Sequence, residues 1–358
     1  MKSRLLWNVL RLIAFIGLAL GVVQMPVMAA PAGRWPRTIK RQRAEGRVNL
    51  AKRRGWFILI SENWADALDP IVRMWFEQGY SRRPSLLNTL FNVQTSSRAY
   101  EEISGVGAVG VDAWEQWENT GKVGQADFDQ GYKTTFTHRE YPLEVAIRRK
   151  LVADSNFQEV FNIPRRMGDS ASLKREIDGA GVFINAFTDT FAGADSVGLC
   201  STAHPFSPMK TGSTQSNEFT YPMTKDNVRL MREAMMAFTD DNGNKVAVTP
   251  NLLLYPSTLE DDAIPIIGSP LDPGSANNAI NPQAGRWQGQ SWHYLTDSNA
   301  WFMIDTNLMR ESLFWFDHSA LTINPKVEDK TLVATWIAYM RYSFGWADWR
   351  WIAGSNPS

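Results

Sequence analysis

Between residues 164 and 192, Leu173, Ile177, Ala180, Ile184, Phe187 and Phe191 recur at spacings of 4, 3, 4, 3 and 4. Side chains three and four apart share one face of an α-helix, so the pattern predicts a helix of about five turns or more. Lys174, Arg175, Asp178, Asn185 and Asp189 fall on the opposite face. One narrow apolar stripe on so long a helix is satisfied by laying the helix across a sheet.

Shorter elements surround it. Residues 61–80 predict a helix with Ser61 as N-cap, an apolar stripe of Leu68, Ile71, Val72, Trp75 and Phe76, and a second turn opening at Asp69-Pro70. A helix from Thr224 to Phe238 takes Thr224 as N-cap and turns Val228, Met231, Met235 and Phe238 inward. Asp241-Asn242-Gly243 signals a turn. Val246–Val248 and Leu252–Tyr255 read as strands broken by Pro250, and Leu259–Ile267 as a short helix. Residues 268–290, rich in Gly, Pro, Asn and Ser, read as a surface loop. Trp292–Leu295, Trp301–Asp305, Leu313–Phe316 and a last buried stretch, Thr331–Phe344, read as strands. Residues 98–147 carry Gly105, Gly107, Gly110, Gly121, Gly124 and Gly131 between strand-like stretches and have few aliphatic residues. A long hairpin with so little core must rest on something else. Helices and strands follow one another without βαβ regularity, which places the chain in the α+β class.

The composition of the 358 residues is globular, 44% hydrophobic and 21% charged. The single cysteine, Cys200, allows no intramolecular disulfide, and four scattered histidines (His138, His204, His293, His318) do not suggest a zinc site. Charge is uneven. Residues 1–57 hold twelve Lys and Arg against Glu45 alone, so the rest carries a net charge of −11. An acidic body argues against sequence-specific reading of nucleic acid, which needs a basic face.

Several motifs invite a chemical role, and each has a plainer account. Gly105-Val106-Gly107-Ala108-Val109-Gly110 has the GxGxxG form, but no βαβ unit frames it, and hairpin glycines explain it better. Cys200 and His204 suggest a thiol nucleophile, yet no third group is evident nearby, so a structural loop is expected. Phe238 to Thr249 partly imitates a calcium loop through Asp240, Asn242 and Gly243, but lacks acids at its first and last positions. Glu260-Asp261-Asp262 suits a helix N-terminus through the dipole alone. Fifteen tryptophans could line a glycan surface; burial in core and interfaces is simpler, with Trp346, Trp349 and Trp351 expected against the long helix or a neighbour. No catalytic residue, cofactor or metal site is expected.

The N-terminus has a different character. Lys2, Arg4 and Arg11 precede an apolar run from Leu12 to Ala30, with Val27-Met28-Ala29 as a candidate cleavage site, and a basic linker spans Arg34 to Arg54. Three readings stand: a signal or anchor, a removable or DNA-facing basic arm, or translated upstream DNA before a start near Ile58. The third is favoured, because patterned sequence begins abruptly near Ile58 and no methionine lies between Met28 and Met74.

Five stretches resemble the major capsid proteins of Mu-like tailed bacteriophages. They are Trp64-Ala65-Asp66-Ala67-Leu68-Asp69-Pro70 with Phe76, then Cys200-Ser201-Thr202-Ala203-His204-Pro205, then Pro250 and Leu252-Leu253-Leu254-Tyr255-Pro256 to Leu259-Glu260-Asp261-Asp262-Ala263, then Trp301-Phe302-Met303-Ile304-Asp305, and finally Arg341-Tyr342-Ser343-Phe344-Gly345-Trp346-Ala347-Asp348-Trp349. Their order and spacing carry the resemblance, over residues 60 to 352. It implies the Hong Kong 97-type capsid fold, with an N-terminal arm (58–97), an extended E-loop hairpin (98–147), a peripheral domain with the spine helix (148–239), an axial domain (240–320) and a return strand and tail of the peripheral domain (321–358). Residues 1–57 depart from the family pattern.

The resemblance implies a structural protein and no enzyme. Copies would form hexamers and pentamers of an icosahedral head around double-stranded DNA, assembled in the bacterial cytoplasm with scaffolding, protease and portal proteins and possible decoration proteins. The alternatives are a secreted or periplasmic enzyme or glycan binder, and an encapsulin-like compartment.

Overall fold

The computed structural model describes residues 64–106, 114, 121, 123, 130–148, 150–151, 157–208, 210–271, 279–328 and 333–357. The chain divides into two units, Met1–Leu68 and Asp69–Ser358. Of the first, the described residues are the opening turn of the first helix. In chain order the elements are α1 (Trp64–Tyr80), α2 (Leu87–Leu90), β1 (Asn92–Thr95), β2 (Tyr100–Val106), β3 (Gln130–Thr137), β4 (Arg139–Arg148), α3 (Phe157–Ile184), β5 (His204–Ser207), β6 (Lys210–Gln215), β7 (Glu218–Phe219), α4 (Lys225–Met235), β8 (Leu252–Tyr255), α5 (Glu260–Gly268), β9 (Gln288–Ser291), β10 (Trp301–Ile304), α6 (Thr306–Ser312), β11 (Leu313–Glu328), β12 (Val333–Trp346) and β13 (Ile352–Ser355).

Two mixed sheets organise the fold, which is α+β as expected. One runs β1-β11-β12-β4, with β1 parallel to β11 and the other pairs antiparallel. The other runs β7-β13-β10-β8-β9, with its outer pairs parallel and β10 antiparallel to both neighbours. The inner strands β8, β10 and β13 are buried at every position, so they read as continuous apolar runs rather than alternating ones. β2 and β3 form a separate antiparallel hairpin.

The long helix is real, and its buried face matches the expected stripe only in part: Ala180 is buried and Ile184, Phe187 and Phe191 pack on the core. α3 has 28 residues, about 42 Å at 1.5 Å per residue. It starts at Phe157, carries Pro164 inside and ends at Ile184. Ile177 is 46% exposed, whereas Ser172, Arg175, Glu176, Gly179, Ala180, Val182, Phe183 and Ala186 are buried. The true face is rotated by about one residue, some 100°. Three polar side chains explain the rotation. Arg175 donates two parallel hydrogen bonds to Asp317, at 2.8 and 2.9 Å, under the rings of Trp315 and Tyr342. Glu176 accepts from Ser85 Oγ and from the Trp292 indole. Asp178 accepts from the Tyr342 hydroxyl at 2.6 Å. Burial and the adjacent Asp178 carboxylate push the Tyr342 phenol far above its usual range. Further along, Phe183 meets the rings of Trp292, Phe302 and Trp351. The helix thus joins both sheets into one core.

Glycine sets the crossing of α1 and α3. A Cβ on Gly79 would strike the Arg165 carbonyl, and one on Gly168 would strike the Phe76 carbonyl and approach the Tyr80 nitrogen to 2.8 Å. Only bare backbone permits this separation.

Other expectations hold or shift. Thr224 caps α4 through the Asn227 amide, and Val228, Met231, Met235 and Phe238 are buried. Pro70 lies inside one continuous α1 rather than opening a new turn, and Ser61 lies outside the described residues. Val246–Val248 is not a strand; its amides bond to Phe238 and to Val246 itself. Trp292–Leu295 closes a turn after β9, because the Trp292 indole is drawn to Glu176. β12 is not the last strand, since β13 follows and pairs with β10. The boundary expected at 320/321 falls inside β11, which is paired to β12 from Leu313 to Glu328. Most of residues 107–129, the expected middle of the hairpin region, lie outside the described residues.

Two substitutions test this core. Arg175→Met strands the Asp317 carboxylate and is expected to cost about 3–5 kcal/mol in chemical denaturation. Gly168→Ala forces α1 and α3 apart and is expected to cost about 1–3 kcal/mol by the same measurement.

Candidate functional site

The cysteine and histidine singled out by sequence lie close in the chain on a buried loop. His204, fully buried, heads β5 and stacks on Trp349 at 4.3 Å. Its Nδ1 lies 2.6 Å from Asp195 and its Nε2 lies 3.0 Å from the Asn217 side-chain oxygen. The expectation that no third group stands near His204 is therefore corrected, since two do. They do not make a catalytic centre. Both ring nitrogens are engaged, so neither is free to take a proton from a thiol. Asn217 is fixed in turn: its oxygen accepts from the Ser201 amide and its nitrogen donates to the Leu199 and Ile352 carbonyls. The network ties the 195–204 loop to β13. Cys200 is 1% exposed, and its thiol is pushed well above the ordinary range by burial and then by Glu218. A nucleophilic cysteine needs the opposite on both counts.

The other motifs resolve into structure as well. Gly105 of the GxGxxG string sits in β2 against Gly131 of β3, where a Cβ on Gly131 would strike the Gly105 backbone; Gly107 and Gly110 lie outside the described residues. The Asp240 carboxylate accepts from the Asn242 and Asn244 amides, each at 2.8 Å, and Gly243 takes a φ of 85°, so this acid closes a turn rather than offering itself to calcium. Glu260, Asp261 and Asp262 occupy the first turn of α5. Among the described residues no cluster of three His, Cys, Asp or Glu could hold a metal, and no helix is long and apolar enough to cross a membrane. Of the tryptophans expected against the long helix, Trp351 packs on Phe183, while Trp346 packs on Phe191 beyond the helix end and Trp349 on His204 and Phe238.

The surface offers a different feature, one that composition alone suggested. Among its described residues the β2–β3 hairpin has a small core. Phe136 packs on Phe314 and Phe316 at its root, with Ile103 and Ala347 alongside. A Lys133–Glu102 ion pair at 2.8 Å crosses it in solvent. A two-stranded ribbon is marginal by itself. Tyr100 (51% exposed), and Trp114 (86%) and Val123 (79%) in the connection between the strands, face water. A shallow cleft of about 250 Å³ opens between β3, the 191–193 loop and β12. Its walls are threonines, aromatic rings and Arg139, and they present no paired acid and base or nucleophile.

The sequence pattern of the phage capsid protein family matches residues 132–355. No curated protein matches the chain. A chain of the mature capsid of bacteriophage PhiM1 is similar in fold, with a TM-score of 0.50 and 11% identity over 77% of this chain and 88% of that one. A chain of the bacteriophage JBD30 capsid shows a TM-score of 0.48 and 16% identity over 60% of this chain and 92% of that one. A chain of Microbacterium phage Oxtober96 shows 0.44 and 9% over 77% and 92%.

The buried thiol has a measurable consequence. Cys200 is expected to resist maleimide labelling in the native chain at neutral pH and to react rapidly in denaturant; fast native labelling would contradict the structural role.

Proposed function

Because the chain belongs to the phage capsid protein family, a family of structural proteins and not enzymes, we propose that it builds its shell through a hairpin that has no adequate core of its own. The exposed Tyr100, Trp114 and Val123 carry this reading, since aromatic side chains left in water on a marginal ribbon are stabilised by burial against a second copy. The hairpin is the E-loop of the Hong Kong 97-type fold. α3, the spine helix, forms the peripheral domain together with the β1-β11-β12-β4 sheet. The β7-β13-β10-β8-β9 sheet forms the axial domain, so β13 belongs there and not with the peripheral tail. The N-terminal arm, expected at 58–97, then ends before β1, which pairs with β11.

On this reading copies associate into hexamers and pentamers of an icosahedral head, in the manner of Mu-like phages. Each specific interface buries more than about 1,000 Å². Assembly takes place in the host cytoplasm with scaffolding, protease and portal proteins. The shell then encloses double-stranded DNA by non-specific contact, consistent with its acidic body, and decoration proteins bind outside. An enzyme or glycan binder is set aside by the family membership.

Sedimentation and negative-stain microscopy of residues 58–358, with the scaffold present, test the proposal. Large closed particles are expected; a persistent monomer under assembly conditions would overturn it.

A further inference from the structure

Three irregular places in the chain meet at the root of the hairpin. Residues 96–99 link β1 to β2, His138 alone separates β3 from β4, and β11 loses register between Asp317 and Ser319. His138 is 5% exposed and sits among all three. Its Nε2 lies 3.2 Å from Ser96 Oγ, and its Nδ1 lies 2.9 Å from Ser343 Oγ on β12. Ser96 Oγ donates in turn to Glu101 at 2.7 Å, and the Ser96 amide donates to the Asp317 carbonyl. The arrangement fits a neutral imidazole that donates from Nε2 to Ser96 and accepts at Nδ1 from Ser343. The His318 ring, from the irregular stretch of β11, lies 5.2 Å from the His138 ring.

We propose that His138, packed against the His318 ring, makes the hairpin root an acid-sensitive hinge, which ties β2–β3 to the four-stranded sheet while its imidazole is neutral and frees it when that imidazole takes up a proton.

The surroundings oppose a proton on His138. Adding one at Nδ1 turns an acceptor into a second donor, so the Ser343 hydroxyl must reverse its bond. His318 faces His138 from β11. Arg341 faces it from β12, with its Nε lacking a hydrogen-bond partner and lying 3.9 Å from Glu140 of β4. Against these stand Glu101 of β2, itself shared with Ser96 and Arg98, and the backbone at Arg98. Burial first, then His318 and Arg341, hold the His138 imidazole below its ordinary value of 6.5, with Glu101 and Arg98 offsetting part of the effect. An imidazole whose folded value is depressed stabilises the attached state above the free value. That stabilisation is lost as pH falls from about 6.5 through the lower folded value. Among the described residues the hairpin's apolar anchor is the small cluster of Phe136 on Phe314 and Phe316, so a modest loss at the root acts on much of the ribbon.

Hydrogen exchange of the unassembled full chain, corrected for the intrinsic pH dependence of exchange, reads the hinge. Protection across 100–106 and 130–137 is expected to fall between about pH 7.5 and about pH 5.5, by up to about tenfold, the limit of one logarithmic unit set by the free value of 6.5. Protection in β8 and β10 is expected to stay level. His138→Gln keeps a donor and an acceptor without titrating and should abolish the fall; His318→Gln removes the neighbouring ring that opposes a proton on His138 and should reduce it. A hairpin that tracks β8 and β10 at every pH overturns the hinge, as does a full fall in His138→Gln. Should that variant not fold, an undiminished fall in His318→Gln overturns it and a reduced one supports it. The hinge takes its consequence in a shell from the function proposed above, but its test needs no particles. A chain that never assembles defeats the shell, and a hairpin indifferent to pH defeats the hinge.

Discussion

A buried, doubly hydrogen-bonded ion pair holds the middle of the fold. Arg175 of α3 reaches Asp317 of β11 with both guanidinium nitrogens, and Trp315 and Tyr342 lie over the charge. Removing two charges from water is costly, and the geometry must recover that cost through short paired bonds. It therefore fixes the helix in rotation and along its axis more tightly than apolar packing could, because a Leu or Ile tolerates small slips that a bidentate fork does not. Asp317 also accepts from the Trp315 indole, and its carbonyl accepts from the Ser96 amide. The same residue thus orients the helix and places the chain entering the hairpin.

From that anchor the division of labour follows. The five-stranded sheet and α3 bury most of the large aromatic residues, including Trp292, Trp301 and Trp351, in one continuous core. Among the described residues the hairpin receives the small cluster around Phe136. A segment attached by few contacts can move with little disturbance to the rest, since local stability tracks local burial. On the function proposed above, a shell subunit would gain from that arrangement: a rigid body would keep interface angles constant, and a weakly anchored ribbon would adapt to a neighbour.

Buried polar groups outside the anchor do similar positioning work. His204, Asn217 and Asp195 satisfy one another and three backbone groups around a loop that packs against β13. In outline the residues resemble a thiol-hydrolase set. What separates structure from catalysis is saturation: every polar atom of His204 is committed to a fixed partner, and the thiol is sealed from water.

By itself the sequence determined the class of fold, the existence of α3 and α4, the Thr224 cap, the Asp241-Asn242-Gly243 turn and a hairpin poor in core. Each of these depends on neighbours in the chain, through helical spacing, capping or turn chemistry. The tertiary structure decided the rest. Which face of α3 is buried depended on Asp317, Trp292 and Tyr342, which are 142, 116 and 164 residues from their helix partners. An apolar count assigns Arg175 and Glu176 to solvent because it has no means of seeing a distant partner. Likewise, β13 joins β10 rather than β12, and Asn217 and Asp195 reach His204, only because folding brings separate segments together. Local pattern fixes what a segment becomes, while long-range pairing fixes what it touches; the anchor, the saturated histidine and the root of the hairpin all belong to the second kind.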